Sequence, residues 1–170
     1  MAFQKSVNIW QARGLSGQLV SMDGFVPTPV SFMSDGKVDA GMFVFEDTAQ
    51  AGYCCKNKAS ARFLGFVVRT LNTSVNVPVV GDNVTYPKNT VLTIAQRGQL
   101  YYTLPTGASN VTNGKHVAIN PTNGAVTFVD AGTANDTGWA VWLLDGATTA
   151  KEGDLVIVQN IGVNNLSAGA

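Results

Sequence analysis

Residues 86–129 read YPKNTVLTIAQRGQLYYTLPTGASNVTNGKHVAINPTNGAVTFV, a succession of short apolar runs separated by turn formers. Val91-Leu92-Thr93-Ile94-Ala95 is followed by a turn signal at Gln96-Arg97-Gly98 and then by Leu100-Tyr101-Tyr102-Thr103-Leu104. Further on, Val117-Ala118-Ile119-Asn120 and Ala125-Val126-Thr127-Phe128-Val129 flank Pro121-Thr122-Asn123-Gly124. An Asn-Gly pair between two alternating apolar runs predicts a β-hairpin, because both residues tolerate the positive φ of a type I′ turn. Consecutive antiparallel strands of this kind provide a surface and bring no chemistry with them.

Outward from this stretch the strand signals continue. Met42-Phe43-Val44-Phe45 and Phe63-Leu64-Gly65-Phe66-Val67-Val68 precede it, and Trp139-Ala140-Val141-Trp142-Leu143-Leu144 and Leu155-Val156-Ile157-Val158 follow it. The last two are apolar on both faces, which implies burial by the core on one side and by another element or subunit on the other. A short strand over residues 77–80 would be held to a sheet edge by Pro78. Residues 47–60 are polar and compatible with a loop or a short helical turn. No stretch shows the i, i+3, i+4, i+7 recurrence of an amphipathic helix. About eight short strands with frequent turns predict an all-β domain over residues 37–170, either a β-barrel or a β-sandwich.

Residues 1–36 have another texture. Phe3, Val7, Ile9, Trp10 and Leu15 stand singly or in pairs among Gly and Pro, and no period holds for long. A polar disordered tail would not carry such aromatics. An extended N-terminal arm is expected, with two readings open: its aromatics anchor in another surface, or the arm folds back on its own domain.

Only 13% of residues are charged, about half the usual share, while 45% are apolar. The surface must therefore be covered by Asn, Thr, Ser and Gly, or be buried against partners. The 11 basic and 11 acidic residues balance, which argues against nucleic acid or an anionic membrane as partner. They are unevenly placed, with a surplus of four positive charges before residue 121 and of four negative charges after it. Lys56, Lys58, Arg62 and Arg69 form a basic stretch without an intervening acid, and with Tyr101 and Trp142 they are candidate interface residues. No secretion signal is expected in residues 1–18 and no run reaches the ~18–20 apolar residues of a membrane helix. Adjacent Cys54 and Cys55 rarely achieve disulfide geometry and read as free thiols, so the five Asn-x-Ser/Thr sequons carry little weight.

Catalytic chemistry finds no footing. The single His116 has no matching Ser or Cys, and Glu46 and Asp47, being adjacent, would point to opposite faces of a strand. Metal-ligand spacing, phosphate-binding loops and dinucleotide fingerprints are missing, so neither a metal nor a cofactor is expected.

The order of motifs resembles that of the phage structural cement proteins, a family of capsid decoration proteins. The similar segments are Met1-Ala2-Phe3-Gln4-Lys5 with Val7-Asn8, Gly41-Met42-Phe43, Gly65-Phe66-Val67-Val68-Arg69, Tyr86-Pro87, and Gly98-Gln99-Leu100-Tyr101-Tyr102. The closing hairpin, Ala118-Ile119-Asn120 with Asn123-Gly124-Ala125-Val126-Thr127-Phe128, is similar as well. The resemblance covers roughly residues 1–130 and lapses after Asp130. It implies a non-enzymatic protein on the outer surface of a tailed-phage capsid, made in the host cytoplasm and joining neighbouring major capsid protein subunits. Self-association is expected, as a trimer before a dimer, and the arm residues Phe3, Val7, Ile9, Trp10 and Leu15 become a capsid anchor. The competing expectation is a carbohydrate- or receptor-binding β-module of a phage tail or surface appendage.

Overall fold

A computed structural model describes residues 14–70, 79–80, 83–160 and 162, all strand, turn or irregular chain. Fourteen strands follow in order: β1 (Leu19–Pro27), β2 (Phe32–Ser34), β3 (Val38–Asp39), β4 (Phe43–Glu46), β5 (Tyr53–Cys55), β6 (Phe63–Val67), β7 (Val79–Val80), β8 (Asn83–Tyr86), β9 (Val91–Leu92), β10 (Ile94–Thr103), β11 (His116–Ile119), β12 (Val126–Val129), β13 (Asp136–Trp142) and β14 (Leu155–Asn160). Eleven form one mixed sheet in the order β12-β11-β13-β14-β10-β6-β4-β5-β2-β9, with β1 paired to β10 beside that path. The other three form a small sheet, β3-β8-β7. The sheet does not close on itself, so of barrel and sandwich the arrangement is sandwich-like.

Two apolar clusters explain the layering. The larger joins Leu100, Tyr102, Val117, Trp139, Val141, Val156 and Val158 on one side to Phe43, Phe45, Phe63 and Phe66 on the other. Its centre is aromatic: Phe43 meets Phe66 at 4.7 Å, Tyr102 at 5.4 Å and Trp139 at 6.0 Å between ring centroids, all edge-on. Edge-on rings avoid repulsion between their π-faces and bind the two layers beyond simple area burial. The smaller cluster uses the opposite side of β4 and β6 (Val44, Leu64, Val67) and packs it against Val38 and Tyr86 of the small sheet. Strands β4 and β6 are thus covered on both faces, which is why their sequence is almost continuously apolar.

β6 does not alternate strictly. Phe63 and Phe66 face one cluster while Leu64 and Val67 face the other. A register shift opposite Val44 and Phe45, with Gly65 at φ 142°, inserts the extra residue that permits this. β10 has the same device. Ile94 belongs to the smaller cluster and Leu100 and Tyr102 to the larger, with Gly98 at φ 137° between them. The turn expected at Gln96-Arg97-Gly98 is therefore absent; the glycine kinks one ten-residue strand that passes from layer to layer.

The hairpin of β11 and β12 is present, with Ile119 opposite Val126, but its turn differs from expectation. Gly124 alone takes positive φ, 71°, and its N–H reaches back to the Asn120 carbonyl at 2.8 Å. The connection is a four-residue loop, secured by the Asn120 side chain accepting from the Thr122 N–H. Residues 47–60 hold a tight turn and β5, and no helix. Val79–Val80 is the edge strand of the small sheet, as the neighbouring proline suggested.

The extended arm expected over residues 1–36 is shortened from its C-terminal side. Residues 19–27 pair with β10, residues 32–34 pair with both β5 and β9, and Phe32 is buried. Leu19 and Phe25 pack on the larger cluster, and this burial holds the segment to the domain. Phe3, Val7, Ile9 and Trp10 lie outside the described residues.

Candidate functional site

The residues where chemistry was sought make contacts that hold the fold. His116 Nδ1 lies 2.9 and 3.0 Å from the two carboxylate oxygens of Asp136. Those oxygens also accept the N–H groups of Gly132 and Gly138, both at 2.8 Å. The pair fastens the turn before β13, and Thr137 Oγ1 donates to the Val117 carbonyl. Cys54 and Cys55 are buried free thiols. Burial first, then the Asp35 charge and the neighbouring cysteine, push the Cys54 thiol up to about 12. Among the described residues, no three His, Cys, Asp or Glu side chains come together as a metal site.

The basic stretch is divided by the fold. Lys58 Nζ sits 3.1 Å from Asp47 Oδ1 and Arg62 Nε 3.1 Å from Glu46 Oε2, both across the β4–β6 region. Arg69 is half-buried and its N–H donates to the Gly17 carbonyl at 2.7 Å. Lys56 is exposed at the rim of a cleft of about 610 Å³. Phe43, Tyr102 and Ile119 contribute to the wall of this cleft, and Ser16, Asp39, Thr106 and Glu152 give it polar lining.

Tyr101 and Trp142 prove to be neighbours. Tyr101 pairs with Ile157 across β10 and β14, and Ile157 pairs with Trp142 across β14 and β13. On each strand the flanking residues (Leu100 and Tyr102, Val156 and Val158, Val141) point into the larger cluster. The row Tyr101–Ile157–Trp142 therefore lies on the outer face of the sheet. Trp142 is 47% exposed, while Tyr101 and Ile157 are half-buried. The next row along the strands, Gln99–Gln159–Ala140–His116, is mostly polar. The two-sided apolar character read in β13 and β14 thus concentrates in one row.

The chain reaches this face at Gly14. A Cβ built there would fall 2.1 Å from Cδ2 of Tyr101, so the backbone lies against the ring and a side chain at this position would force the ring to shift. Leu15 next to it is exposed. Gly17 then donates to the Tyr101 carbonyl at 2.8 Å, and Tyr101 donates to the Gln18 carbonyl at 2.9 Å, leading into β1. Further apolar residues stand exposed at Met22, Val26, Val30 and Val91. Sequence reading missed Ile157 as a surface residue, because Leu155-Val156-Ile157-Val158 is apolar throughout and only the burial of every second residue in the folded strand separates its faces.

Comparison with known proteins shows the family of the chain. Residues 3–161 match the family model described as structural cement protein (E217 gp24/Pam3 gp6). The chain belongs to the phage structural cement family. No curated protein matches it in sequence. Its fold is similar to that of a chain in the solved structure "The capsid of Myoviridae Phage XM1", with a TM-score of 0.57 at 15% identity, covering 94% of this chain and 97% of that one. The motif resemblance is borne out, and the match runs on through β13 and β14, where the resemblance had lapsed after Asp130. This cement protein has a capsid decoration role and associates with capsid proteins in the virion.

Proposed function

We propose that this cement protein acts without catalysis from the outer surface of the capsid, joining neighbouring major capsid protein subunits. The observation that carries this reading is the family match over residues 3–161. The exposed apolar residues support it: a domain with two filled clusters still presents Trp142, Met22, Val30 and Val91 to solvent, as a protein buried against partners would. In the proposal Phe3, Val7, Ile9, Trp10 and Leu15 contribute the coat anchor, and the protein self-associates, as a trimer before a dimer. Many symmetric copies, each burying modest area, would resist internal pressure through avidity. Balanced charge supports a protein partner over nucleic acid or membrane.

The test is to mix the purified protein with undecorated capsids and measure bound copies by sedimentation and shell rupture temperature by calorimetry. Saturable binding on the exterior, with a raised rupture temperature, is expected. Deleting residues 2–13, which leaves β1 whole, should lower occupancy about tenfold or more if two well-buried aromatics are lost. Binding to host glycans in preference to capsids would overturn the reading. A monomer by light scattering at high micromolar concentration would overturn self-association alone.

A further inference from the structure

We propose that β12 is an interface strand, where a second copy of this chain pairs antiparallel, edge to edge, about a twofold axis through Thr127. The inference rests on the self-association proposed above and gives it a place and a symmetry: at this edge, copies meet in pairs.

The backbone supplies the first reason. In β11 the Ile119 N–H donates to the Asn135 carbonyl, and the Lys115 and Val117 carbonyls accept from Val141 N–H and Thr137 Oγ1, so these odd-numbered residues face β13. The even-numbered ones face β12, and just beyond the strand the Asn120 N–H donates to the Ala125 carbonyl at 2.9 Å. Antiparallel neighbours bond through every second pair. With Ile119 opposite Val126 and Val117 opposite Phe128, the N–H and C=O groups of Val126 and Phe128 therefore point away from β11. β12 ends the sheet, and these groups have no backbone partner among the described residues. Open edges invite a further strand, and the other edges of the fold are blunted. β3, β7 and β9 are two residues long, and β1 is broken by register shifts on β10. β12 is a regular Val-Thr-Phe-Val, with neither proline nor lysine in it.

The second reason is that this edge complements itself. In a pair centred on Thr127, Val126 of one copy lies opposite Phe128 of the other, so outward groups meet outward groups. The half-buried Val126 and Phe128 side chains, which pack on the larger cluster, then continue that cluster across the axis. Charge matches at the ends. Lys56 is exposed and lies against Gly124, its Cε 3.5 Å from where a Cβ would stand. In this register position 124 meets position 130, which brings Lys56 to Asp130 of the second copy. The Asp130 side chain is 87% exposed and holds Lys115 through Oδ1. Sliding the register by two residues would keep the hydrogen bonds but part Lys56 from Asp130, so charge selects the centre.

Thr127→Cys tests the axis. Residues directly opposite in a non-hydrogen-bonded antiparallel pair have Cα atoms ~4.5 Å apart, within disulfide range. The native Cys54 and Cys55 are buried and do not compete. Under mild oxidation Thr127→Cys should form a linked dimer about tenfold faster than Thr149→Cys, an exposed position between β13 and β14, because pairing raises the effective thiol concentration. Val126→Pro removes a donor that faces the open edge and spares the ladder to β11. It should raise the dimer dissociation constant, read by light scattering, about tenfold or more. Circular dichroism and a melting curve check its fold. Should Val126→Pro unfold the domain, the cross-linking comparison at exposed side chains still decides.

A wild-type dimer, weakened by Val126→Pro and cross-linked selectively at position 127, upholds the proposal. A wild-type monomer up to high micromolar concentration would overturn it together with self-association. An oligomer that Val126→Pro forms equally well, or equal cross-linking rates at positions 127 and 149, would overturn this interface alone and leave self-association to another surface.

Discussion

Cys54 shows how position alone sets reactivity. It is fully buried in the smaller cluster, between strands that leave no water to solvate a thiolate. Its neighbour Cys55 points the other way, with Sγ 3.5 Å from the Asn57 carbonyl and 3.8 Å from that of Phe45, and burial raises its thiol as well. At pH 8 iodoacetamide should label neither cysteine at the rate seen in urea; native labelling about 100-fold slower is the expected mass-spectrometric result, and comparable rates would refute it. A raised folded-state pKa also has a sign in stability. The unfolded thiol ionises first, so the Cys54 contribution is complete below its ordinary value of 9.0 and is lost as pH rises toward about 12. Carboxylates act at the other end. The Ala49 N–H and Lys58 lower Asp47, and Lys115, 2.8 Å away, lowers Asp130; both contributions are present above 3.8 and fade as pH falls through the depressed values. Melting temperature should therefore fall on both limbs of a pH series. The presence of these thiols was legible in the sequence. Their inertness was not, because it depends on strands brought together from residues 32–94.

Strands were legible where apolar runs were dense, and their faces were less so. The runs at residues 43–45, 63–67, 117–119, 126–129 and 155–158 all became strands. What pattern reading could not supply was the parity change at Gly65 and Gly98, since a glycine between apolar residues signals a turn and a bulge equally well. At Gly98 the turn reading lost because β1 and β14 pair with β10 on either side and hold it extended. Gly65 gives the sharper test. Its φ is 142°, and an added Cβ would fall 2.1 Å from the Ala95 carbonyl oxygen, a backbone atom fixed in the adjoining strand. Gly65→Ala should cost ~3 kcal/mol or more from strain and overpacking together. Gly24→Ala, at φ 70° with nothing within 4 Å, should cost about 1 kcal/mol. Urea unfolding of the two variants checks this, and equal midpoints would mean that the bulge is not pressed on β10. The candidate site was half legible for the same reason: Tyr101 and Trp142 were candidate interface residues, but Ile157, which joins them, is visible only once the strand register is known.

At the scale of the whole molecule, the segment before residue 37 was read as separate because its apolar residues are sparse and aperiodic. Sparse is sufficient for an edge strand. β1 needs only Leu19 and Phe25 inward, with a wide bulge between Ser21 and Val26, to stay on β10. The ladder that results has a mechanical meaning. β1 and β14 flank β10 and both run antiparallel to it, so they run parallel to each other; Leu19 sits opposite Leu100, and Asn160 opposite Gly98. Tension applied to the two chain ends pulls the start of β1 and the finish of β14 in opposite senses along the same axis. The hydrogen bonds on both sides of β10 are then loaded in shear and must give way together, instead of peeling open one after another. Single-molecule stretching should show one high-force rupture for the domain, whereas a staircase of small events would mean that the ladder unzips. A strand trio in this arrangement behaves as a tie bar, with chain ends that can be tugged apart while the fold between them holds.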